Sequence, residues 1–521
     1  MVRFFLAVAP WQTVVVYERL PVFPDVMAHP NLTRSSAAAV GAVRAGATSL
    51  WLSAPALPAP RPAFIYALAA YVAVVVTRSH EVVPFLSLVR PAKLSLLIVV
   101  AALAANIHQL PWKELPKSSV TKFMFATAIL AILSVPGAYW PGGSAKFLPT
   151  AYLQTFLVFV LVAAGFIHRP TLWLGIHVFV LGAFAAAILG FIIPPGQGGR
   201  FEIGLTYDPN DTAAFLVIAL PFFFCLAAEG GRMRKVALVG IPIVLAAIVK
   251  TGSRGGIIAL ALMTPFLLFY APPRRRSMYI SLIVLCGVVF SATMTPELRQ
   301  RFVNLFEQSD YNFTDRDGRK AVLKRGIGYM MDNPVLGVGI DGFQYAEGVT
   351  KKNEGFGVKF TNAHNAYVQI GAELGFGGLF CFLGTIAASW IGCARVRRRL
   401  LVASAAGAAG AKREVAVATA AICALMGLSG AALFLSTAYA PVTYFMFGLC
   451  AAVALGAPRA GAPVAAPAPS GAGVRPSLAR PPSAAGASPV PIASPHRGRG
   501  WVNVGRARPG APSRWRGGLK R

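Results

Sequence analysis

Thr212 to Ala228 reads TAAFLVIALPFFFCLAA, with no charged residue and with one proline among almost entirely apolar side chains. Its length approaches the roughly 20 residues a helix needs to cross hydrocarbon. Working outward, similar runs recur with short breaks at 62–78, 93–108, 120–136, 149–167, 171–193, 236–250, 256–271, 277–293, 366–391, 413–432 and 441–456, twelve with the first. The expected fold is an all-α polytopic membrane protein of about twelve transmembrane helices, with one large outer loop, 294–365, containing short helices. Composition agrees. Of 521 residues, 56% are hydrophobic and 13% charged, and mean hydropathy is +0.60; soluble domains hold roughly 45–50% apolar residues.

The formal net charge of +30 raises nucleic acid as a partner. The basic residues, however, sit in short runs between apolar segments and in a tail without Asp or Glu, the pattern of cytoplasmic loops, so the expected partner is the lipid bilayer and no nucleic acid. Six cysteines lie in or beside apolar segments with no CxxC or metal-ligand spacing; neither disulfides nor a metal are expected. Three parts follow: an Ala/Pro-rich, poorly ordered extension at 1–61, a membrane domain at 62–456, and a disordered basic Pro/Ala/Gly-rich tail at 457–521. The stretch Phe4–Val16 is broken by Pro10 and Gln12 and lacks a cleavage site, so no signal peptide is expected.

Lys and Arg orient the chain, because cytoplasmic loops retain positive charge. With twelve spans the runs at 232–235, 274–276 and 395–399 fall on one side, the cytoplasm, as do extension and tail. The long loop and the breaks around Asp208 and Arg254 then lie outside. One loop disagrees: Arg78 to Lys93 is assigned outside yet carries Arg78, Arg90 and Lys93.

In the long loop, the stretch from Asp317 to Met331 has the spacing of an amphipathic helix capped by Thr314 or Asp317 and ended by Asn333-Pro334. At 100° per residue Val322, Leu323, Ile327, Tyr329 and Met330 form its apolar stripe, with Arg319 in the middle; Lys320, Lys324 and Arg325 point to flanks or solvent. An Arg on a buried face needs an anion, either a diphosphate gripped in bidentate fashion or a protein carboxylate. Arg254 stands in Lys250-Thr-Gly-Ser-Arg-Gly-Gly256, where Thr251 or Ser253 caps the next helix. It is a candidate anion site or an arginine snorkelling to the interface. His364, in Thr361-Asn-Ala-His-Asn-Ala-Tyr367, could take a proton from a sugar hydroxyl, or simply bond to backbone. In Asp208-Pro-Asn-Asp211 a cap from Asn210 or Asp211 is the structural reading; Asp208 or Asp211 orienting or deprotonating an acceptor is the functional one. Gly337 and Gly339 either offer N–H groups to phosphate or build a turn. Nucleotide-binding and metalloprotease motifs are absent from any supporting context, so no cofactor is expected and the membrane would supply an activated donor.

Thr251-Gly-Ser-Arg-Gly-Gly256, Gly318-Arg319, Asp332-Asn-Pro-Val-Leu-Gly-Val-Gly-Ile-Asp-Gly-Phe343, Ala363-His-Asn-Ala-Tyr367 and Glu373-Leu-Gly-Phe-Gly-Gly-Leu379, in this order, resemble the O-antigen ligase and polymerase superfamily. Tyr207-Asp-Pro-Asn-Asp-Thr-Ala213 resembles a motif of its exopolysaccharide-associated branch. The resemblance implies a multi-pass protein of the bacterial inner membrane with a periplasmic loop and a metal-independent glycosyltransferase activity. It implies an undecaprenyl-diphosphate-linked glycan as donor, a glycan or lipid A-core as acceptor, and polysaccharide-assembly proteins as possible partners. By motif it makes Arg254, Arg319 and His364 the catalytic set; Asp208, Asn210, Asp211, Asn365, Gly337 and Gly339 are the candidate substrate-binding residues beside them. Leu323 stands where the family usually has Trp, which leaves Arg316 or Arg325 as alternatives to Arg319. A polymerase is favoured, with an O-antigen ligase as alternative and a flippase for lipid-linked glycan as a reading from another class.

Overall fold

A computed structural model describes residues 60–78, 81, 89–193, 200–203, 207–271, 318–355, 360–408 and 410–456, with isolated positions between 276 and 291. The tail, nearly all of the extension, most of the expected span at 277–293, and Thr314, Arg316 and Asp317 lie outside the described residues.

Among the described residues the chain is helical, and the sole β pairing is an isolated bridge between Ile203 and Tyr207. The helices are α1 (Pro62–Thr77), α2 (Pro91–Asn106), α3 (Ser119–Leu133), α4 (Pro141–Phe147), α5 (Leu153–Gly165), α6 (Arg169–Ile192), α7 (Pro209–Ala228), α8 (Arg232–Lys250), α9 (Arg254–Tyr270), α10 (Arg319–Asp332), α11 (Phe343–Asn353), α12 (Ala366–Ala405), α13 (Ala411–Ala431) and α14 (Pro441–Gly456). Every expected apolar segment except 277–293 falls on one of them. Among the described residues six stretches are long and apolar enough to cross a membrane: Pro91–Gln109, Pro141–Gly165, α6, α7, α12 and α13; α1, α3, α9 and α14 are apolar but shorter. Proline opens α1, α2, α4 and α7, where its missing N–H costs nothing because the first turn has no internal acceptor.

Burial ranks these helices. α7 is 89% buried over its apolar window and Pro91–Gln109 only 11%, so α7 is the hub and α2 faces outward. α7 packs on α8 and α13, α13 on α9 and α12, and α14 on α5. Small residues let backbones approach: a Cβ on Gly430 of α13 would lie 3.1 Å from the Ala259 Cα of α9.

Contacts between helix ends show that α6, α7, α8 and α9, and likewise α12 and α13, alternate in direction. At one end Tyr207 Oη donates to Val76 O (3.0 Å), Lys250 Nζ to Gly190 O (2.7 Å), Tyr139 N to Val338 O (2.9 Å) and Ala366 N to Ala432 O (2.8 Å). At the opposite end Arg413 pairs with Glu229 (3.1 Å) and Arg169 with Glu414 (3.8 Å). The runs Arg232–Lys235 and Arg395–Arg399 collect there too. Arg78, the exception to the charge pattern, belongs to the first end, where its guanidinium binds Glu81 (2.8 Å) and Val75 O (3.0 Å). Glu81 offsets the charge of Arg78, while Arg90 and Lys93 still run against the charge pattern.

The segment after α10 is sewn into a break in α12. Gly375, at φ 66°, interrupts the helix and frees nearby carbonyls. Val338 N donates to Ala372 O (2.8 Å) and Gly339 N to Glu373 O (3.1 Å), while Phe376 N donates to Pro334 O (2.9 Å). The segment is also pinned to the helices before and after Trp140: Ser134 Oγ accepts from Ile340 N (3.1 Å) and Ser144 Oγ donates to Ile340 O (2.6 Å). Polar backbone buried beside membrane helices must find partners inside the protein, and here the glycine break supplies them.

Candidate functional site

The site lies at the first end, where four chain turns meet. Asp208 is the N-cap of α7, its Oδ1 accepting from Asn210 N (2.6 Å) and Asp211 N (2.8 Å). This corrects the expected cap at Asn210 or Asp211. Pro209 at the first helical position starts the helix earlier than the apolar run suggests. Asn210 is drawn into the neighbouring turn instead: its Oδ1 accepts from Ser253 Oγ (2.9 Å) and from an Arg200 terminal nitrogen (3.0 Å).

Arg254 opens α9, and Ser253 caps it by accepting from Gly256 N at 3.1 Å. Gly255 presses against Phe434, whose Cβ would stand 2.8 Å from an added Cβ, so the Arg254 turn abuts the segment joining α13 to α14. That same segment holds His364, whose N–H donates to Ser436 Oγ at 2.9 Å. His364 has φ 49°, in the left-handed region, uncommon outside glycine and a frequent mark of functional sites. Asn365 fixes this turn: Oδ1 accepts from Tyr367 N and Val368 N (both 3.0 Å) and Nδ2 donates to Leu433 O (3.2 Å). Its amide is engaged in capping, which makes it a support for His364.

Burial, and then the positive charge of Arg319, push the His364 imidazole below its usual pKa of 6.5, while Asp208 opposes them. The imidazole is therefore within electrostatic reach of both Arg319 and Asp208. The Asp208, Arg254, Arg319 and His364 turns all gather at this end, though more than 150 residues separate the first of them from the last.

Arg319 is the first residue of α10 and half-buried. The buried face runs through Val322, Gly326 and Tyr329, while Ile327 is 40% exposed. Relative to the expected stripe, that face is turned by about 60° at 100° per residue. The cause is Gly326, where an added Cβ would meet Val368 at 2.5 Å and Phe343 at 2.8 Å. The closest approach occurs where there is no side chain, which a count of apolar residues passes over. The rotation leaves Arg319 on one flank of the buried face and brings Arg325 onto the other. Arg325 thus does not point to solvent as expected. It forms a two-pronged pair with Glu347, Nε to Oε1 at 2.8 Å and Nη2 to Oε2 at 2.7 Å. As the alternative substrate arginine, Arg325 is already held by the protein. Arg316 lies outside the described residues.

Gly337 and Gly339, at φ 64° and 92°, donate to Asn333 O (3.0 Å) and Glu373 O (3.1 Å). These amides are taken by backbone carbonyls of the turn and of the break in α12, which corrects the reading that offers them to phosphate. Sequence reasoning missed Arg200. Its Nε donates to Thr251 O (2.8 Å), so together with its Asn210 contact it ties the Asp208 turn to the Arg254 turn. Only its place in an outer break nine residues before Pro209 pointed that way. Among the described residues no three His, Cys, Asp or Glu side chains gather as metal ligands, and five cysteines are buried free thiols.

Helix composition and a polar end carrying arginines, an imidazole and carboxylates define the class: an all-α multi-pass membrane protein with a site at one end of its helices. Residues 238–383 match the family model described as O-antigen ligase, and this domain supports placement in the O-antigen ligase and polymerase superfamily, hence a membrane enzyme of O-antigen assembly. The matched stretch contains Arg254, Arg319 and His364 and leaves Asp208 to Asp211 outside. No curated protein matches the chain.

Proposed function

We propose that this protein is a metal-independent, inverting glycosyltransferase of the bacterial inner membrane, with about twelve spans and its site facing the periplasm. It moves a glycan from undecaprenyl diphosphate to an acceptor hydroxyl. The observation that carries the proposal is the meeting of Arg254, Arg319 and His364 at one helix-bundle end, with His364 under the field of Arg319. Basic runs at the opposite end support the orientation, since positive loops stay cytoplasmic.

In this reaction His364 takes the acceptor proton as that oxygen attacks the anomeric carbon from the face opposite the diphosphate. The bond from the anomeric carbon to the diphosphate oxygen breaks, and the charge left on the diphosphate is met by Arg254 and Arg319. A base must be neutral to act. The lowered pKa keeps His364 in that form through neutral pH. Activity is expected to be level above neutrality and to fall on the acid side below the ordinary histidine range. Asp208→Asn keeps an efficient cap while removing the charge that raises the His364 pKa. Its acid limb should move to lower pH in a pH–rate profile; a limb shifted upward would detach Asp208 from His364.

Polymerisation is favoured over ligation by Tyr207-Asp-Pro-Asn-Asp-Thr-Ala213. A deletion strain separates the two: loss of a polymerase leaves single repeats, whereas loss of a ligase leaves long chains on the carrier and bare core. A flippase would form no bond. Purified protein in detergent, with no gradient or sealed compartment, is expected to make a glycosidic linkage, and failure with both acceptor types overturns the enzyme reading.

A further inference from the structure

Trp140 and Tyr345 stack at 5.7 Å between centroids with 26° between ring planes. The pair is built rather than incidental. Trp140 lies directly over Gly143, where an added Cβ would sit 2.2 Å from the indole, so glycine is what allows the ring to fold back. Tyr345 belongs to α11, whose neighbouring Gln344 donates from Nε2 to Asn362 Oδ1 at 2.6 Å. Asn362 stands two residues before His364. The rings and the two amides therefore form a continuous track running from Trp140 to the His364 turn. Trp140 nevertheless keeps 55% of its surface exposed, and Gln344 and Asn362 are exposed as well.

Aromatic residues at helix ends often mark the lipid interface. Two observations argue against that here. Pro141 to Lys146 contains two glycines, a serine and a lysine, so Trp140 stands about 10 Å, seven residues at 1.5 Å each, above the first large apolar residue, Phe147. Its stacking partner lies on a hydrophilic helix carrying Glu347, Lys351 and Lys352, not on a lipid-facing one. The part of the indole that Gly143 and Tyr345 leave uncovered, with planar amides nearby, suits a ligand that is apolar on one face and hydroxylated at its rim, the character of a pyranose.

We infer that Trp140, Tyr345, Gln344 and Asn362 form a glycan-binding subsite that receives sugar rings next to the His364 site. This rests on the glycosyltransferase reading for its purpose but not for its test. The clamp of Ser134 and Ser144 on Ile340 holds the stack's surroundings in place before any ligand arrives. The sugars can come from donor or acceptor.

The test uses the full chain in lipid nanodiscs and, as probe, oligosaccharide released by mild acid from the host strain's own surface polysaccharide. Saturation-transfer NMR is expected to show contact with the sugar ring protons. Trp140→Ala and Tyr345→Ala should each weaken binding about tenfold, the loss of a stacking partner together with its pre-ordered neighbour. Trp140→Phe, which keeps a ring face, should restore most of it. Unchanged binding in both alanine variants overturns the inference. So does a difference between wild type and Trp140→Phe in which brominated lipid, and not oligosaccharide, quenches the Trp140 fluorescence. Where transfer is active, a rise in KM for the donor alone or the acceptor alone assigns the track to that substrate. Oligosaccharide binding that depends on Trp140 in a protein without transfer activity would refute the proposed reaction and uphold the subsite.

Discussion

Alanine at Arg254 or at Arg319 is expected to cut the rate of glycosidic transfer about 100- to 1000-fold, the range seen when one donor to developing charge is removed. The leaving group explains the size. In the proposed reaction charge accumulates on the diphosphate oxygens as its bond to the sugar breaks, and a guanidinium held beside it meets that charge without reorganising. Arg254 sits at the N-terminus of α9 beside a serine cap, and Arg319 at the N-terminus of α10, so each guanidinium is joined by the positive end of a helix. Lysine at either position keeps the charge and loses the planar fork, which predicts an intermediate loss. If both arginines grip one diphosphate, the double alanine variant should be slower by less than the product of the two single effects. Turnover measured in purified membranes decides this. Near-normal transfer in a folded Arg319→Ala variant removes that side chain from the reaction, and strict multiplicativity separates the two arginines into different steps.

The helices were legible because lipid imposes a simple rule on sequence: about 20 apolar residues, then a break. Helix starts were legible to within a turn, with Pro209 setting α7 earlier than the apolar run does. What stayed hidden has one physical character, contact made by backbone or by glycine. The rotation of α10 follows from Gly326, whose importance is the absence of a side chain. The burial of Arg325 then depends on Glu347, 22 residues away and unremarkable in sequence. The break at Gly375 was visible as a glycine motif, but nothing in its spacing said that the segment from Pro334 to Gly339 would occupy it. Arg200 was overlooked because its partners are a carbonyl and an amide on two other segments. The candidate residues Arg254, Arg319 and His364 were legible as motifs; their meeting at one end is a matter of helix packing that no single motif carries.

Glu347→Ala is expected to destabilise the protein by about 3 kcal/mol, the lower part of the range for breaking a buried ion pair. Glu347 is fully buried and serves several groups at once. It binds Arg325 through both oxygens, its Oε1 contacts Tyr329 Oη at 3.1 Å, and Lys351 Nζ stands 3.7 Å away. Removing it takes the carboxylate from two cations, of which Arg325 keeps only 18% of its side-chain surface in water and Lys351, which also donates to Thr361 Oγ1 at 2.8 Å, only 6%. Removing Arg325 instead leaves Glu347 with Lys351 as a partner. The loss for Arg325→Ala should therefore be smaller than for Glu347→Ala, an asymmetry that a simple count of broken pairs does not give. Replacing both residues by apolar ones of similar volume, Arg325→Met with Glu347→Leu, should recover the part of the loss that comes from Arg325 and not the part that comes from Lys351, which still lacks the carboxylate. Thermal midpoints of the detergent-solubilised variants give the order. Because the pair locks α10 against α11, and α10 begins with Arg319, the Glu347→Ala protein should also lose transfer activity at temperatures where it is still folded. Equal midpoints for the two single variants, or a double variant no better than Glu347→Ala, would show that Glu347 is not neutralising both cations.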